Sequence, residues 1–160
     1  MRKLIVAFDE PSDGWLRIEL GYEGHLLAEP FSHIYPTLGE LCGALCDLVA
    51  GHGGRRVVFL LEPAELVLAM TPLDGRTARI GVRLFKDRSR TSDGDLVFEF
   101  VGERHEIVLA FWRALRRLQT DLSDSDFEER WRAPFPKLEM ASLTECLNER
   151  GLLHDKARRS

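Results

Sequence analysis

One boundary constrains this sequence more than any other: at Gly102 the spacing of its apolar residues changes period. Upstream lie short segments of period two, Val57–Leu61, Glu65–Met70, Arg79–Phe85 and Leu96–Val101. Downstream, Ile107, Val108, Phe111, Leu115 and Leu118 recur at the spacing of one helix face, with Trp112 at its shoulder. Strands at hairpin spacing cannot be the parallel strands of a βαβ array, because a parallel crossover needs a dozen residues or more. The order predicts an α+β fold, with an antiparallel sheet of about five to six strands, helices packed on one face and a helical C-terminal part.

Near the N-terminus, Lys3–Phe8 is β-compatible and Trp15–Tyr22 alternates, with Leu16, Ile18 and Leu20 on one side and Arg17 and Glu19 on the other. Pro11 and Gly14 punctuate the turn between them, so the two make a hairpin. His25–Pro36 contains Pro30 and Pro36 and has no period, which predicts a loop with at most a short strand at His25–Ala28. Thr37-Leu38-Gly39-Glu40 has the form of a capping box and opens a helix that stops at Gly51; Ser142-Leu143-Thr144-Glu145 offers a second one for a final short helix. A shorter helix is expected over Asp121–Arg132, ended by Pro134 and Pro136. Lys86–Asp95 has almost no apolar residue and predicts an exposed, mobile hairpin loop. No period of 20–50 residues repeats, so residues 1–153 read as one domain and residues 154–160 as a disordered charged tail.

A chain of 160 residues with 44% hydrophobic and 30% charged residues can bury a core without staples. Its net charge of -4, with scattered Lys and Arg, argues against nucleic acid as a ligand. The apolar start Leu4–Phe8 meets Asp9 and Glu10 too soon for a secretory signal, and no apolar run approaches the ~18 residues of a membrane span. A cytoplasmic location with no membrane partner is the expectation. Cys42 and Cys46 fall on the buried stripe of the first helix and Cys146 stands far downstream, which is neither a disulfide framework nor a zinc site.

Motifs for catalysis fail on inspection. His105-Glu106 begins a helical zinc-protease pattern, but Leu109 stands where the second His is needed. Gly51-His52-Gly53-Gly54 follows a helix and precedes a strand, the inverse of a phosphate-cradling loop. No catalytic residue, metal site or cofactor is assigned. A pocket around His25, His33 and Tyr35, with His33 as acid or base, is the one enzymatic or ligand-binding alternative.

Two surfaces remain. Asp121, Asp124, Asp126, Glu128 and Glu129, with Phe127 and Trp131 among them, compose an acidic patch suited to a basic protein partner. Arg17, Glu19, Arg79, Arg83 and Glu99 fall on the polar side of the sheet. With its Trp15 hairpin, sheet-then-helix order and acidic Asp121–Glu129 segment, the chain resembles the small bacterial α+β immunity and accessory proteins of toxin systems. That resemblance implies a non-enzymatic, protein-binding role, such as stoichiometric inhibition, using Asp121–Trp131 and the open sheet face. A homodimer built on an exposed sheet edge is the third reading.

Overall fold

The structure is a computed structural model that describes residues 3–153. The charged tail expected at residues 154–160 lies outside the described residues. The α+β class and antiparallel pairing hold, but the strands among the described residues number seven and divide into two sheets. Strands β1 (Ile5–Phe8), β2 (Trp15–Tyr22) and β3 (His25–Ser32) form the first sheet in the order β1-β2-β3. Helix α1 (Thr37–Val49) follows, and then β4 (Arg56–Leu60), β5 (Glu65–Pro72), β6 (Thr77–Phe85) and β7 (Asp95–Glu103) make the second sheet, also in chain order. Helices α2 (Arg104–Asp121), α3 (Asp124–Trp131) and α4 (Lys137–Glu149) follow.

The extra strand is the segment read from sequence as a loop. Pro30 pairs across from Arg17, and Arg17 already gives its carbonyl to the Asp9 N–H at 3.1 Å on the far side of β2. Pro30 therefore turns its nitrogen away from β2, where the missing N–H breaks no ladder bond, as an edge strand allows. The β2–β3 hairpin then crosses the second sheet. At one end Tyr22 packs on Phe98 and Phe100 of β7, with ring centroids 5.6 and 5.1 Å away; at the other Phe31 meets Phe59 of β4 edge-on at 4.9 Å.

The inner faces of both sheets and the apolar stripes of the helices share one core, including Leu16, Ile18, Leu20, Leu68, Ile80, Phe111 and Leu143. Helix α1 lies between α4 and the β4–β5 end, whereas α2 lies along β1. The turn at Gly102 behaves as expected: Glu103 ends β7 and caps α2, its carboxylate accepting from the His105 and Glu106 N–H groups. The two capping boxes do not form. Thr37 is already inside α1 and fully buried, and its hydroxyl donates to the Val58 carbonyl at 2.7 Å, tying helix to strand. Ser142 is mid-helix, because α4 starts at Lys137 directly after Pro136. Proline's fixed φ suits a helix entry, so Pro136 opens α4 where the sequence reading used it only to close α3.

Candidate binding site

A wide cleft runs along the outer edge of β1. It encloses about 810 Å³ between Lys3–Phe8, the end of β7 (Phe100–Glu103) and one face of α2 (Glu106, Ile107, Ala110, Arg113, Ala114, Arg117). Its edge is chemically unfinished. The Asp9 N–H bonds Arg17, and the register pairs Ile5 with Gly21 and Ala7 with Glu19, so the odd-numbered residues of β1 spend their backbone groups on β2. Antiparallel ladders alternate, so Leu4, Val6 and Phe8 turn their N–H and C=O groups toward the cleft. β1 and β7 are both terminal strands of their sheets. The cleft is therefore bounded by two strand edges that have no neighbour among the described residues, the feature that folded proteins ordinarily blunt with Lys, Pro or a bulge. Ile5–Phe8 carries none of these.

The side chains suit an extended chain. Ala110 and Ala114 are one turn apart and leave room on the α2 wall, while Leu4, Phe100 and Ile107 make an apolar floor. Ile5, 61% exposed, and Val101 stand at the mouth. Arg113 and Arg117, also one turn apart, and Lys3 provide three cations. Of the two carboxylates, Glu103 is occupied by capping, which leaves Glu106. The free charge of the cleft is positive in a protein of net charge -4.

The outer face of the second sheet is a distinct, smaller cleft of about 600 Å³. Cross-strand rows place Arg56, Ala69, Gly81 and Glu99 side by side, with Arg79 and Arg83 on adjacent rows of β6. The polar side read from sequence is thus two surfaces, because Arg17 and Glu19 pair with each other at 3.4 Å on the first sheet. One corner of the second face is closed by a buried ion cluster. Glu65, fully buried, accepts from Arg90 Nε and Nη2 at 2.9 and 2.6 Å through one oxygen and from the Tyr35 hydroxyl at 2.7 Å through the other. That hydrogen bond, with burial behind it, raises the Tyr35 pKa above its ordinary value. The polar loop 86–94 is exposed, as its composition implies, yet Arg90 pins it to β5.

The residues singled out from sequence are dispersed. His25 stacks on Tyr22 at 4.9 Å, and His33 sits at the far end of β3, its Nδ1 3.2 Å from the Gly14 carbonyl and its ring against Trp131. Eight strand residues separate their ends by about 25 Å, and Tyr35 is engaged with Glu65. No common pocket gathers His25, His33 and Tyr35. In the acidic segment Phe127 and Trp131 are 2% and 3% exposed, packed on Phe135 and Phe31 respectively. Ser123 caps α3 through the Asp126 N–H, and Lys137 pairs with Asp124. Asp121, Asp126, Glu128 and Glu129 stay exposed. The β1 edge escaped the sequence reading, because nothing in Ile5-Val6-Ala7-Phe8 says which neighbour a strand lacks; Ala110 and Ala114 among larger α2 residues were its one visible trace.

Among the described residues no cluster of His, Cys, Asp and Glu is arranged to hold a metal ion, and no helix is long and apolar enough to cross a membrane. Compared with known protein families, with curated proteins and with solved structures, the chain matches none.

Proposed function

We propose that this chain is a protein-binding module that receives an extended segment of its partner along β1. The observation that carries the reading is the 810 Å³ cleft, one wall of which is a strand edge without a neighbour among the described residues. An added strand gains main-chain hydrogen bonds from the groups of Leu4, Val6 and Phe8, and its alternate side chains enter the apolar floor. Lys3, Arg113 and Arg117 favour a segment with carboxylates among its apolar residues. The exposed carboxylates at Asp121, Asp126, Glu128 and Glu129 begin one turn beyond Arg117 and act as a steering rim for a basic region of the same partner. With Phe127 and Trp131 in the core, that rim supplies approach rate rather than anchoring energy. A stoichiometric inhibitor, the role implied by the resemblance, would form a one-to-one complex through this edge.

The test is affinity capture of a partner from source-cell lysate, repeated with two variants and followed by titration of the purified pair. Val6→Pro removes an N–H that faces the cleft without touching the β2 ladder. It should abolish binding while the protein stays folded. Replacing Asp126, Glu128 and Glu129 together should slow association and leave the complex intact. Binding that survives Val6→Pro and disappears with the triple variant would place the interface on α3 and overturn the reading.

A second reading rests on the same edge. Antiparallel pairing of two β1 strands about Val6 sets Lys3 of one copy against Asp9 of the other, so the edge is electrostatically self-complementary. Equilibrium sedimentation separates the two: a dimer lost in Val6→Pro would make the second copy the occupant.

A further inference from the structure

The helix pair α1–α4 holds two sulfurs that the binding reading does not use. Cys46, in the third turn of α1, and Cys146, near the end of α4, are 100 residues apart in sequence, yet their Sγ atoms lie 3.1 Å apart. That separation exceeds a disulfide bond by only about 1 Å. Both side chains are half-buried, so solvent and a small reagent reach them, whereas Cys42, one turn before Cys46, is sealed in the core. The sequence pairs Cys42 with Cys46 by spacing, but neighbouring turns of one helix face the same way; the facing partner comes from the other helix.

We propose that Cys46 and Cys146 form an oxidation site, closed by a small-molecule disulfide such as oxidised glutathione into an intramolecular bond that clamps α4 onto α1. Burial and the neighbouring thiol push the Cys46 thiol up to about 12, and the exchange gives the same bond from whichever sulfur of the facing pair attacks first. Starting from Cys146, its thiolate takes one sulfur of the reagent and releases one glutathione thiolate, leaving a mixed disulfide. Cys46 Sγ then attacks the Cys146 sulfur, its proton passing to solvent, and the second glutathione thiolate leaves. Two electrons move from the cysteine pair to the reagent, two thiols are produced, and one Sγ–Sγ bond forms.

The clamp has a physical consequence because α4 is the last element of the described chain. It is held by Met140, Leu143 and Leu147 in the core and by the Trp112 Nε1–H donating to Thr144 Oγ1 at 2.9 Å. A bond across 100 residues removes much of the freedom of the unfolded chain.

The experiment treats the folded, full-length chain with excess oxidised glutathione, alkylates the remaining thiols, and reads intact mass and proteolytic peptides. The expected product is a monomer lighter by two hydrogens, with one peptide joining Cys46 to Cys146 and a Tm raised by roughly 10 °C. Cys42→Ala should form the same Cys46–Cys146 bond as wild type, and Cys46→Ser should stop at a glutathione adduct on Cys146. A wild-type protein that stays reduced or keeps the adduct, a bond between Cys42 and Cys46, or cross-linked dimers would overturn the proposal. So would a Cys46–Cys146 bond that leaves Tm unchanged, because it would clamp nothing.

Discussion

The α3 segment and the β1 edge are opposites in what they advertise and what they leave available. α3 displays carboxylates and aromatics in close succession, yet its aromatics are spent on Phe31 and Phe135, and its first-turn Asp124 on Lys137. β1 is an ordinary apolar strand, yet half of its backbone groups and an exposed Ile5 face a cleft. A binding surface is defined by the interactions a fold leaves unmade, and residue type alone does not report them. The Glu65–Arg90–Tyr35 cluster makes the same point from the other side, since a buried charge there is fully consumed by partners within the chain.

This contrast breaks most visibly at Trp131. As a core residue packed on Phe31 and His33, Trp131→Ala should cost about 3–5 kcal/mol in urea unfolding. If the variant kept wild-type stability while losing a partner, the aromatic would be an interface anchor after all. Arg90→Ala comes next. It strands the buried Glu65 carboxylate, but its own side chain is 38% exposed, so water enters and the loss should be about 2 kcal/mol.

Tyr35→Phe is smaller, about 1 kcal/mol near neutral pH, for one hydrogen bond to a carboxylate. It also has a pH signature. A pKa raised in the folded state contributes stability that is complete below the ordinary tyrosine value and is lost as pH rises through the folded value. Wild type should therefore lose stability above about pH 10 more steeply than Tyr35→Phe in parallel melts. Equal slopes would remove Tyr35 from the cluster's energetics. Smallest of all, Asp124→Asn should change stability by at most about 0.5 kcal/mol, because its pair with Lys137 is exposed.

Much of the fold was legible in the sequence. The Trp15–Tyr22 alternation, the period change at Gly102 and the stripe Ile107–Leu118 each specify an element by burying one face, and burial is what sequence period encodes. Pro30 misled because proline excludes a central strand but not an edge strand, and edge position is a property of the assembled sheet. Thr37 misled because a helix-start threonine can spend its hydroxyl on a distant carbonyl, here Val58. The division into two sheets, the partner of Cys46 and the cleft beside β1 depend on contacts between distant segments, which no local period records.

Amide hydrogen exchange along β1, followed by NMR in the free protein and in a purified complex with its partner, tests the central claim most directly. The account predicts fast exchange at Val6 and Phe8 beside slow exchange at Ile5 and Ala7 in the free protein, and strong protection of Val6 and Phe8 once the partner is bound. Uniform protection across the four residues in the free protein, or no gain at Val6 and Phe8 in the complex, would contradict it.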